Sequence, residues 1–200
     1  MTTYSLTELT LRHGTLRRDA VVPTRMSLAG WYRTHASGRL VRLHPGVARL
    51  AGTEPTAMMR IEAELAAAMP GSTVAGLTAA WLWGSASAEH DVVELIAQPY
   101  RHPGRLEGVE FHRPTDPEYP RTCTVQGVRT CEPLRATLDV AAWHPERLDR
   151  VMAELVGAGC FTIDAVREML GRERRQGRPG VSALEAALAR WGNRREPVLV

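Results

Sequence analysis

An α+β fold in two modules is what the sequence predicts, and three observations carry the prediction. Within residues 27–50, a Ser-capped helical period stops at Gly38 and runs into two short β-prone stretches around His44-Pro45-Gly46. From residue 92 the apolar period switches from helical to strand-like, and from residue 132 it switches back. The charge also changes sign along the chain. Residues 1–50 hold eight arginines against Glu8 and Asp19, a net of +6, and the other 150 residues carry a net of −3. The first module, residues 1–54, reads as a winged helix-turn-helix. The second, residues 55–200, reads as an α+β domain with a small, mostly antiparallel sheet and several helices.

The elements follow in order. Residues 4–12 form a first helix with Leu6 and Leu9 inward, ended by His13-Gly14. Thr15 and Leu16 are a short extended piece, and residues 17–22 a short helix limited by Pro23, which lacks the N–H a helix interior needs. Residues 24–26 are the turn. Ser27 caps the next helix, whose Leu28, Trp31 and His35 share one face. Residues 40–43 and 47–50 are the strands of a basic hairpin. Residues 51–56, rich in small side chains, are a linker.

Residues 57–69 have strong helix propensity, with Met58, Ile61, Leu65 and Met69 on one stripe. Pro70-Gly71 breaks that helix, and residues 72–83 form another, capped by Ser72 or Thr73 and stopped by Gly84. Residues 92–97 and 108–112 read as strands, and residues 122–131 as a hairpin around Gln126-Gly127. Residues 132–143 are a helix with Pro133 in its first turn, where the missing N–H costs nothing. Residues 145–156 follow with a stripe of Leu148, Val151, Met152 and Leu155. Thr162 caps residues 163–170, residues 182–191 are the last helix, and the tail after Gly192 is loose.

Composition narrows the function classes. All 25 cationic residues are arginine, each a planar fork suited to phosphate or guanine. The three cysteines lack CxxC spacing and a nearby histidine pair, which argues against a disulfide scaffold and a structural zinc site. No apolar run approaches the roughly 20 residues of a membrane span, and the N-terminus lacks the pattern of a signal peptide. A cytoplasmic protein that uses no cofactor is the expectation.

A basic head on a mildly acidic body is the footprint of a nucleic-acid binder. The residues expected at double-stranded DNA are Arg25, Ser27, Tyr32, Arg33, Arg39, Arg42 and Arg49. Arg39 and Arg42 lie on the first hairpin strand, Arg25 lies beside the helix N-terminus, itself an anion site, and Tyr32 and Arg33 face outward. His44 is expected to pack in the turn, and Glu62, Glu64, Asp139, Glu146 and Asp149 to be solvated helix faces. An enzyme is the alternative: Gly84-Ser85 followed by acids before a strand suggests a minimal nucleotidyltransferase with a DNA-binding head. That chemistry needs two carboxylates on one strand face to hold Mg²⁺. Asp91 and Glu94 stand three apart and so point to opposite faces, and Glu89 and Asp91 precede the strand. Catalytic and metal-binding residues are therefore not expected.

The segment HG-x-L-x-R (residues 13–18), the Ser27-capped helix and SGRLVRLHPGV (residues 37–47) resemble AbiEi-type antitoxins of type IV toxin–antitoxin systems and related actinobacterial winged-helix proteins. ST-x-AGLTAAWLWG, VVELIA and VQGVRTCEPLRATLDVAAW extend the likeness through the body. The resemblance implies a DNA-binding head that represses its own operon and a C-terminal domain that neutralises a cognate nucleotidyltransferase toxin, a role in phage defence. Many relatives carry arginines early in the recognition helix where this chain has Ala29 and Gly30. Base reading here therefore falls to Tyr32, Arg33 and the flanks.

Overall fold

The computed structural model describes residues 10–22, 24–89, 91–97, 105–113, 121–174 and 178–192. The chain forms two compact units, Met1–Ser72 with Arg101–Val109, and Thr73–Tyr100 with Glu110–Val200. Both sheets are accompanied by helices, so the α+β class holds. Residues 4–9 of the expected first helix lie outside the described residues, as does the tail, while Thr10, Leu11 and Arg12 are not helical.

The first unit runs β1 (Thr15–Arg17), α1 (Arg18–Val21), α2 (Leu28–Ala36), β2 (Leu40–His44), β3 (Val47–Leu50) and α3 (Ala57–Ala67). Its strands form an antiparallel sheet in the order β1-β3-β2. Ser27 caps α2 by accepting from the Gly30 N–H at 3.0 Å. Gly46 turns the hairpin at φ +82°, a conformation that side chains beyond glycine rarely adopt. His44 is not in that turn. It ends β2 opposite Val47, past a bulge. Leu16, Val21, Trp31, Leu40 and Ala48 make the core. Trp31 fills the space under α2 and meets His35 edge-on at 4.9 Å. Leu28, expected on the same inner face, is 49% exposed.

Helix α3 departs from expectation twice. It packs on all three strands of the first sheet and so belongs to the first compact unit, Met1–Ser72 with Arg101–Val109, whereas the sequence reading put it in the second module. Its buried face is Met59, Ile61, Glu62, Ala63 and Glu64, whereas Met58 and Leu65 are only half-buried. The cause is polar. The Glu62 carboxylate accepts from Thr15 Oγ1 at 2.5 Å and from the His13 N–H at 3.3 Å, which turns that face onto β1.

The second unit holds β4 (Thr73–Val74), α4 (Gly76–Leu82), a 3-10 turn at Ala86–Ala88, β5 (Val93–Ile96), β6 (Val109–His112, from Glu110 onward), β7 (Thr122–Val125) and β8 (Val128–Cys131). Helices α5 (Pro133–Trp143), α6 (Leu148–Gly157), α7 (Ile163–Glu173) and α8 (Val181–Gly192) follow. The sheet order is β6-β5-β4-β8-β7. β4 pairs antiparallel with β5 and parallel with β8, and β7 and β8 form the expected hairpin. Ser72 and Thr73 do not cap a helix: Thr73 and Val74 are the central strand and α4 begins only at Gly76. A two-residue strand shows no period of its own and exists because partners flank it on both sides. Leu148, Val151, Met152 and Leu155 are fully buried, and Thr162 caps α7 through the Ala165 N–H at 3.2 Å. No helix among the described residues is long and apolar enough to cross a membrane.

Candidate functional site

In the first unit, α2 and the hairpin place most of the expected residues on the surface. Ser27 sets the start of α2, and with Trp31 turned into the core, Leu28, Ala29, Tyr32, Arg33 and Ala36 are exposed. The Tyr32 hydroxyl accepts from Arg18 Nη1 at 3.5 Å, so Arg18 joins this surface although the sequence reading passed over it. Arg25 is exposed in the turn before Ser27, where its N–H donates to the Val21 carbonyl at 2.9 Å. Arg39 is exposed just before the hairpin's first strand and not on it, and Arg42 is exposed in its middle. Arg33, Arg39 and Arg42 are exposed, and none of them makes an ion pair with another described residue.

Arg49 does not join them. It lies on the central strand β3, half-buried, and its Nη1 donates to the carbonyls of Leu50 at 3.2 Å and Thr53 at 2.7 Å. Its guanidinium closes the bend after the hairpin. His44 is likewise occupied, its Nε2 lying 2.8 Å from Glu64 Oε2. Burial raises the Glu64 pKa, and the hydrogen bond and charge of His44 oppose the rise. That pair ties the hairpin to α3.

The second unit contains a cluster that sequence reasoning missed. Glu94 on β5 is 1% exposed, and its Oε2 accepts the Leu77 N–H of α4 at 2.5 Å. Its Oε1 faces two imidazoles, with His144 Nε2 at 2.6 Å and His112 Nε2 at 3.3 Å. Glu110, two residues before His112 on β6, brings a second carboxylate oxygen to 3.9 Å from the same His112 nitrogen. The His112 ring stacks on Trp143 with centroids 3.5 Å apart and planes 6° from parallel.

Gly76 belongs to this arrangement. It sits at φ +54°, and a Cβ there would overlap Glu94 Oε2 and Trp143. Only glycine lets the start of α4 close over the carboxylate. Burial by itself would raise the Glu94 pKa, but the contacts to His112, His144 and the Leu77 N–H outweigh it and hold the carboxyl below its ordinary range. An ionised Glu94 can only accept, so His144 carries a proton on Nε2.

Asp139 on α5 is buried, and its Oδ1 accepts from Arg135 Nε at 2.8 Å. Burial pushes its pKa up to about 6 against the charge and hydrogen bond of Arg135. Glu62, Glu64 and Asp139 are thus interior groups and not the solvated acids the helix pattern suggested, while Glu146 is exposed and Asp149 pairs with Arg190. Among the described residues, Glu94, Glu110 and His112 are the one group whose ligand atoms could together hold a metal ion, all lying within 4.8 Å of one another. Glu89 and Asp91 are not part of it. The Glu-x-His spacing on β6 was the available sequence signal, since residues two apart on a strand share a face.

Neither a protein-family model nor a curated protein matches this chain. Among solved structures the chain resembles one from a mycobacterium. The Rv2827c protein of Mycobacterium tuberculosis superposes with a TM-score of 0.51 over 89% of this chain and 72% of that one, at 15% identity. A likeness at that identity concerns the fold alone, and it extends over both units.

Proposed function

We propose that this chain is a DNA-binding, antitoxin-like transcriptional repressor, with a winged helix-turn-helix in its first unit and no catalytic activity of its own. One observation supports the DNA reading above the others. The exposed side of α2 presents Leu28, Ala29, Tyr32 and Arg33 beside a hairpin whose Arg39 and Arg42 have no ion-pair partner among the described residues. In this reading α2 enters the major groove. Its small residues let the backbone approach, Leu28 packs on thymine methyl groups, and Arg33 offers its fork to a guanine edge. Arg25, beside the capped N-terminus of α2, and Arg39 and Arg42 on the wing contact phosphates and set the register. Arg49 is left out, because its guanidinium serves the main chain.

The antitoxin part rests on the sequence resemblance. The second unit has its own core and sheet, and it would counteract a cognate nucleotidyltransferase toxin while the first unit silences the operon. The alternative, a nucleotidyltransferase in the chain itself, asks for a carboxylate pair at Glu89, Asp91 and Glu94. Glu94 is instead engaged with Leu77 and two histidines.

The test is binding of DNA from upstream of the operon, measured by anisotropy beside a random duplex of equal length. Arg33→Ala should weaken operator binding by about 1–3 kcal/mol and random-duplex binding far less. Equal losses on both would remove base reading by α2. The second half is scored by growth: the chain, co-expressed with a toxic nucleotidyltransferase of the type that AbiEi-like antitoxins counteract, taken from the adjacent reading frame, should restore growth. Toxicity unchanged by the full chain would end the antitoxin reading.

A further inference from the structure

We propose that Glu94, Glu110 and His112 form a binding site for a divalent cation of the zinc class, with His144 positioning Glu94 from behind. The argument starts from the buried carboxylate. Glu94 Oε2 is held by the Leu77 N–H, which leaves Oε1 as the atom presented to its neighbours. Around Oε1 lie His112 Nε2 at 3.3 Å and, beyond it, Glu110 Oε1 at 3.9 Å from that same nitrogen. Ligand atoms about 2.0–2.2 Å from a four-coordinate zinc ion stand roughly 3.3–3.6 Å from one another. The spacing at His112 is close to that, and small side-chain rotations complete it.

A second, independent observation points the same way. His112 Nε2 is buried and has no hydrogen-bond partner among the described residues, although two carboxylates stand near it. Glu94 Oε1, 3.3 Å away, makes no hydrogen bond that satisfies that nitrogen. A cation between the three groups satisfies it, accepting the Nε2 lone pair while the ring proton sits on Nδ1. It also offsets the repulsion between two carboxylates drawn to one point.

The surroundings are those of a prepared ligand set. The ring of His112 is locked by its stack on Trp143, and Glu94 Oε1 is held by His144 Nε2–H at 2.6 Å. A hydrogen bond from an outer residue to a ligand carboxylate is the usual way a protein fixes ligand orientation. One imidazole nitrogen with two carboxylates suits zinc or another late first-row ion, whereas magnesium and calcium favour oxygen alone. Three protein ligands leave a position for water on the side of Glu110, which is the exposed member of the set. Because β6 is the edge strand and β5 its inner neighbour, the ion clamps the sheet's edge to its interior.

The full chain, stripped of metal by chelator dialysis, is titrated with Zn²⁺ alone, with Co²⁺ as an optical reporter and with Mg²⁺ as the hard-ion control. The expected result is uptake of about one Zn²⁺ per chain with a rise in Tm, visible Co²⁺ bands that Zn²⁺ displaces, and no response to Mg²⁺. Glu110→Gln and His112→Gln should each weaken Zn²⁺ binding by about tenfold or more. Glu110 is exposed, so Glu110→Gln should keep the circular dichroism and metal-free Tm of the parent and serve even if His112→Gln fails to fold. Three outcomes overturn the proposal: no uptake of Zn²⁺ or Co²⁺ by the parent, uptake unchanged in Glu110→Gln, or Mg²⁺ binding as tight as Zn²⁺.

Discussion

If Arg39 and Arg42 contact DNA phosphates, replacing both with alanine must change how binding depends on salt as well as how tight it is. Each phosphate contact contributes about 0.9 to the slope of log affinity against log salt, through release of condensed counterions. Two lost contacts therefore flatten the slope by about 1.8. Between about 50 and about 200 mM salt, that makes the parent lose roughly tenfold more affinity than the double variant. Random and operator duplexes should show the same flattening, because phosphate contacts carry no sequence information. The structure supplies the control. Arg49 lies on the same sheet, but its guanidinium donates to the Leu50 and Thr53 carbonyls, so Arg49→Ala should leave the slope alone. It should instead cost about 1–3 kcal/mol of stability, since hydrogen bonds from a charged donor are lost. The assay is anisotropy over a salt series with urea unfolding on the same preparations. An unchanged slope in the double variant, or a flattened one in Arg49→Ala, would refute the assignment.

Two further predictions concern the interior acids. Glu62→Ala should destabilise the chain by about 3 kcal/mol or more in urea unfolding, because it leaves the Thr15 hydroxyl and the His13 and Thr15 N–H groups without their acceptor; a loss of a few tenths, as at a solvated helix position, would contradict the packing of α3 on β1. Asp139, raised from 3.8 to about 6 by burial, holds its proton more tightly in the folded chain, so its contribution to stability is complete below about pH 4 and is lost as pH rises through about 6. The loss is about 3 kcal/mol, and it should vanish in Asp139→Asn. Glu94 works in the opposite direction, since its lowered pKa means stability lost as pH falls, so the difference between parent and variant is the quantity to follow. Parallel stability curves from pH 4 to 7 would refute the Asp139 account.

Local signals in the chain determined the elements that close within a few residues. Ser27 and Gly38 bracket α2, Pro45-Gly46 turns one hairpin and Gln126-Gly127 another, and the Leu148 stripe marks α6, because caps, turns and periods act over one or two turns of backbone. The α+β class followed from the same short-range patterns. The chain's pattern did not disclose which charges are interior. Glu62, Glu64 and Asp139 occupy positions that a helical period assigns to solvent; Glu62 is received by groups up to 49 residues away in sequence, Glu64 by His44, and Asp139 by Arg135 one turn back on its own helix. Tertiary pairing alone decided that Thr73 and Val74 form a central strand, that α3 belongs to the first unit, and that Arg49 turns back on its own main chain. The cluster at Glu94 has the same origin. Its carboxylate, two imidazoles and a glycine-lined approach come from β5, β6, α4 and the end of α5, and His144 lies 50 residues from Glu94. No short-range pattern encodes a desolvated carboxylate, because the free energy that keeps it charged comes from groups the fold alone brings within hydrogen-bonding distance.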